Sequence, residues 1–109
     1  MGIKVNDLLT GMISAAKASF DADWPDVEEH AKTELKGIAE GIVLVEKLRI
    51  QGNVTQKEAK LLIRMKERNA QIVLLTLEGM SLIVVEKAIN AAIRSVQDTV
   101  NNALNFKLL

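Results

Sequence analysis

Along residues 5–20 the apolar positions Val5, Leu8, Leu9, Met12, Ile13, Ala16 and Phe20 recur at steps of three and four, which places them on one face of an α-helix. Asp7, Thr10, Ser14 and Lys17 fall on the other face, and Asn6 stands where an N-cap would. The run from Asp21 to Asp26 interrupts this pattern. Asp23 can cap a second helix, and Pro25 is tolerated in a first turn because its missing N–H has no intrahelical partner there. Over residues 24–51, Val27, Ala31, Leu35, Ile38, Ile42, Val45 and Leu48 alternate steps of four and three, the spacing of a bundle or coiled-coil seam.

The clearest local signal follows. Gly52 suits the position just past a helix, and Thr55 with Glu58 forms a T-x-x-E capping box for the next one. Val54, preceding the cap, is placed to staple onto Ala59. From Gln56 there is no proline and no polar turn cluster until the Asn-rich stretch around residues 101–105. The pattern is therefore read as one helix over 56–104. A break at Gly79 is the alternative, but a single glycine costs only about 1 kcal/mol inside a helix and its neighbours Leu77, Met80, Leu82 and Ile83 are unlike a solvated loop, which favours continuity. A continuous helix would be on the order of 75 Å long. The first two helices, set end to end, would match it as the second arm of a hairpin.

Between Asn69 and Ile93 the only charges are Glu78, Glu86 and Lys87, and the apolar residues go almost right round the helix. Such a helix normally sits in the middle of something, and a chain this short has few other helices to surround it. The expectation is an all-α antiparallel hairpin or bundle in a single domain, residues 1–109. It has three long helices, or four if broken at Gly79, and completes a four-helix bundle by dimerisation. The expected interface comprises Ile72, Leu75, Leu82, Ile83, Val85, Ile89 and Ile93. Gly37 and Gly41 make a small-x-x-x-small pair that would admit a close helix from another chain.

Composition narrows the chemistry. With 109 residues, 14 basic and 14 acidic side chains cancelling to a net charge of zero, no overall field draws in nucleic acid or an anionic membrane. The absence of cysteine removes disulfides, thiolate metal sites and Cys nucleophiles. No run reaches the roughly 20 apolar residues that span a bilayer, and the first residues make a poor secretory signal. The compartment is read as cytoplasmic.

Three constellations bear on chemistry. Lys60, Arg64 and Arg68, four residues apart, share a helical face that could contact phosphates. Glu58 and Glu67 interrupt it and no aromatic residue stands nearby, so a solvated face pairing with Glu40 and Glu46 is the expectation. A ferritin-like carboxylate site would use Glu34, Glu40, Glu78 and Glu86, but the sole histidine, His30, has Val27 three residues before it and the Glu-x-x-His pair is missing. No Gly-rich phosphate loop and no nucleophile–base pair is evident. No cofactor, catalytic residue or metal ligand is assigned. The functional expectation is a non-enzymatic structural or interaction module acting as a homo-oligomer, a dimer first. The alternatives are the ferritin-like metal binder and an adaptor covered by a different protein.

Overall fold

The computed structural model describes residues 2–109. Four α-helices follow one another: α1 (Val5–Phe20), α2 (Trp24–Ile50), α3 (Gln56–Leu77) and α4 (Leu82–Leu104). A short 3₁₀ turn, Asp21–Asp23, joins α1 to α2. No strand occurs among the described residues.

The first joint reverses the chain. Asp21 ends α1 at φ 52°, ψ −115°, outside the right-handed helical region, and donates its N–H to the Lys17 carbonyl. Pro25 then lies in the first turn of α2. As a result α1 and α2 are not laid end to end, as the hairpin expectation had them; α1 folds back along α2. Its start meets the far end of α2, where the Ile3 N–H donates to Glu46 Oε1 at 2.8 Å. Two expected caps are absent. Asn6 lies inside α1, whose N-cap position is Lys4, and Asp23 occupies the N-cap position of α2 without a side-chain bond to the backbone.

The second turn forms as its sequence requires. Gly52, at φ 74°, lets the chain leave α2 in the left-handed region that a Cβ disfavours. Its N–H bonds the Arg49 carbonyl at 3.0 Å, and the Asn53 N–H bonds Leu48 at 2.8 Å, the paired bonds of a Schellman motif. The Glu58 N–H then donates to Thr55 Oγ1 at 3.1 Å, while the Thr55 N–H donates to Glu58 Oε1 at 2.9 Å, completing the capping box. Val54 is half-buried against the core and Ala59 fully buried.

The third turn corrects the sequence reading. Helix 56–104 is not continuous: α3 stops at Leu77, Gly79 adopts φ 64°, and Ser81 caps α4 by accepting the Val84 N–H at 3.4 Å. Magnitudes explain why. A break strips about four N–H and four C=O groups of intrahelical partners, a few kcal/mol at roughly 1 kcal/mol per net bond, and Ser81 and solvent offset part of that. Folding back buries Val85, Ile89, Ile93, Val96, Val100 and Leu104, each contributing on the order of 1.5–3 kcal/mol. Burial wins, and the structure measures 42 × 22 × 18 Å.

The helices run up, down, up and down. α3 returns beside α2, with His30 of α2 paired to Glu78 at the end of α3. The ends of α2 and α4 meet where Arg49 Nε donates to the Leu104 carbonyl at 3.1 Å and the guanidinium lies 4.5 Å over the Phe106 ring. α1 and α4 pack together along their lengths, which closes the bundle. Beyond Asn105, at φ 60°, residues 106–109 turn back along α4, held by Asn101 Oδ1, which accepts the N–H groups of Leu108 and Leu109 at 2.9 and 3.0 Å. Inside, Met12, Val27, Ile38, Ile42, Val45, Ile63, Leu74, Val85 and Val100 are fully enclosed, and no buried polar or charged residue interrupts the core among the described residues. Phe20 and Trp24, 6.2 Å apart between ring centroids, seal the end at the α1–α2 joint. One chain thus supplies the four helices that dimerisation was expected to assemble.

Thr55→Ala should lower stability by about 1 kcal/mol in chemical denaturation. The Thr55 backbone N–H, and then its hydroxyl, hold the Glu58 carboxyl below the usual range. A lowered folded-state pKa adds stability above the unfolded value that is lost as pH falls through the folded one. The gap between Thr55→Ala and the parent should therefore narrow on acidification.

Candidate interaction surface

The helical period decides which residues of each helix can meet a partner. On α3, Ala59, Ile63, Ala70 and Leu74 point inward and are buried. Leu61, Met65 and Ile72 are four and seven residues apart, so they form a stripe on the opposite side, and they are 49, 62 and 55% exposed. α2 adds the exposed Leu44. A second apolar group surrounds the α3–α4 turn, with Leu77 at 62%, Leu82 at 50% and Ile83 at 80%. Arg68 and Asn69, both exposed, lie between Met65 and Ile72.

The seven residues expected at an interface separate into two sets. Val85, Ile89 and Ile93 are buried in the chain's own core, because α4 turns that face onto α1, α2 and α3. Ile72, Leu82 and Ile83 stand exposed, and Leu75 is half-buried against the core. The expectation that the whole segment needs another chain to cover it is therefore corrected: folding at Gly79 covers one face internally. Leu61 and Met65 were missed. Their signal was present in the spacing 61, 65, 72 on the side of α3 away from 63, 70 and 74.

The carboxylates of the ferritin-like reading do not converge. Glu40 and Glu86 are exposed, Glu34 is half-buried beside Ala31 and Leu35, and Glu78 is engaged by His30. No group of three or more His, Asp or Glu side chains stands close enough to hold a metal among the described residues. Gly41 is used within the chain: a Cβ there would lie 3.3 Å from Lys66 Cγ, so its absence admits α3 rather than a foreign helix. Gly37 has open space in front of it.

Lys60, Arg64 and Arg68 are exposed, but the pairing expected with Glu40 and Glu46 does not occur. Glu46 accepts the Ile3 N–H instead. The ion pairs among the described residues are His30–Glu78 and Glu28–Lys32, the latter at 2.6 Å. Half-burial pushes the Glu67 carboxyl up, and nearby Arg64 offsets part of that. A groove of about 360 Å³ runs between α1 and α4, lined by Gly11, Ser95, Thr99 and Ala103 together with Lys4, Asp7 and Glu46. Within it Ser95 Oγ donates to the Ala92 carbonyl and Glu46 accepts the Ile3 N–H. No described helix is long and apolar enough to cross a membrane.

No family model, no curated protein and no solved structure matches the chain.

Ile89→Ala should cost about 2–5 kcal/mol in unfolding measurements, as a core truncation, whereas Ile83→Ala should stay within about 0.5 kcal/mol. Equal losses would contradict the division between core and surface. For Glu67, a raised folded-state pKa means that stability present at low pH is lost as pH rises through the folded value. Glu67→Gln should therefore be more stable than the parent at neutral pH, with the difference vanishing on acidification.

Proposed function

We propose that the chain is a non-enzymatic interaction module that self-associates through the outward side of α3, with the apolar residues of the α3–α4 turn as its margin. The observation that carries this reading is the stripe of Leu61, Met65 and Ile72 on a helix whose inner side is already fully packed. These side chains serve no part of the core, and leaving them in water forgoes about 25 cal/mol for every Å² of apolar surface. Scattered exposed apolar residues are ordinary, whereas an aligned set on one helix is the pattern of a helix-mediated contact. The uninterrupted apolar interior and the separated glutamates favour this reading over a carboxylate metal binder.

Because one chain builds its own core, the association accompanies a folded monomer and is set by concentration. Met65→Lys and Ile72→Lys, alone or together, should leave helicity and melting at low concentration unchanged and shift the assembly to monomer. Light scattering coupled to size exclusion over a hundredfold dilution reads this directly. A parent protein that is monomeric throughout the series contradicts the reading.

A further inference from the structure

The charges of this chain cancel in total but not in space. If each helix is divided at its midpoint, the half holding the α1–α2 joint and the α3–α4 turn contains nine acidic and five basic residues, and the opposite half nine basic and five acidic. The bundle is therefore a rod of net charge −4 at one end and +4 at the other. The sequence separates acids around residues 21–34 from bases around 57–68, and the up-down topology turns that separation into polarity along the long axis.

Resting on the reading above, we infer that the occupant of the α3 stripe is a second copy of this chain running antiparallel, related by a twofold axis that passes between Arg68 and Asn69. Apolar contact alone does not choose the orientation. A parallel pair would set Leu61, Met65 and Ile72 each against its own copy, but it would also lay both −4 ends side by side. An antiparallel pair lays each acidic half along the partner's basic half, and complementary fields of this kind fix orientation and register.

Among antiparallel registers, the one centred between residues 68 and 69 places Met65 opposite Ile72 twice and Leu61 opposite Thr76 twice, with Arg68 and Asn69 on the two flanks of the axis. Centring on Met65 would set Ile72 against Glu58, and pairing Leu61 with Ile72 would set Met65 against Arg68. α3 has 22 residues, about 33 Å at 1.5 Å per residue. A strip of that length and one helix diameter wide, about 10–12 Å, covers roughly 330–400 Å² per copy, about half of the ~800 Å² of a standard interface. The dimer is accordingly reversible and weakened by salt, which screens the field between the halves.

The absence of cysteine allows a direct test in the full chain. Met65→Cys and Ile72→Cys are made separately, both at exposed positions, and each is checked for unaltered helicity and melting. In the antiparallel register residue 65 of one copy meets residue 72 of the other. Like residues are displaced by about 10 Å along the axis, beyond disulfide reach. Mild oxidation of the mixed variants should give a covalent dimer as the main product, and each variant alone should stay largely uncrosslinked. A dimer that crosslinks each variant to itself, or gives no crosslink in the mixture, overturns the orientation while leaving self-association standing. A parent chain that is monomeric across the dilution series overturns both. Raising salt from about 50 to 500 mM should weaken the dimer severalfold, and unchanged affinity would contradict the charge argument.

Discussion

Between Leu77 and Leu82 the chain reverses direction within four residues, and the arrangement of the bundle rests on that reversal. A segment with apolar residues on nearly every side cannot satisfy them through one stripe. Split at Gly79, it has two stripes that converge on a common interior: Ile63, Ala70 and Leu74 from α3, and Val85, Ile89, Ile93 and Val96 from α4. The left-handed conformation of Gly79 and the Ser81 cap make the reversal inexpensive. The His30–Glu78 pair fastens the end of α3 to α2 beside it. Without this turn α4 would have no face to offer α1, and the bundle would stay open along its longest contact.

Local signals in the sequence translated faithfully where the chemistry was local. Gly52, Thr55 and Glu58 produced the turn they describe, because a Schellman motif and a capping box are complete between Leu48 and Glu58. The seam from Val27 to Val45 is buried as its spacing required. The break at Gly79 was less legible because turns usually announce themselves by polarity, and here Leu77, Met80, Leu82 and Ile83 flank it. Its usable marks were two: a glycine followed two residues later by a serine at the head of a new apolar period. Their weight depends on the burial gained by reversal, which is a property of the whole chain.

The candidate surface followed the same rule. Three of the seven expected interface residues belong to the core, and the error traces to treating residues 56–104 as one cylinder. Once the segment is divided, the inner and outer positions of α3 separate cleanly, and Leu61 and Met65 join Ile72 on the outside. The glutamates were dispersed as well: of Glu34, Glu40, Glu78 and Glu86, the bundle turns Glu40 and Glu86 to solvent and occupies Glu78 with His30. Asn6 and Asp23 show the limit of cap prediction: Asn6 lies two positions inside α1, and Asp23 sits at the N-cap position of α2 without bonding the backbone through its side chain.

The packing of α1 against α4 has a kinetic meaning. The other neighbouring pairs, α1 with α2, α2 with α3 and α3 with α4, are joined by short turns, so each can form with little loop-closure entropy. The α1–α4 pair joins elements from opposite ends of the sequence and carries most of the sequence separation in the fold. Contacts of that kind slow folding. The α2–α3 hairpin, with its preformed turn, is placed to nucleate, and the docking of α1 onto α4 becomes the closing event. Separation of that seam would uncover Leu8, Met12, Val96 and Val100, which are buried on its two sides.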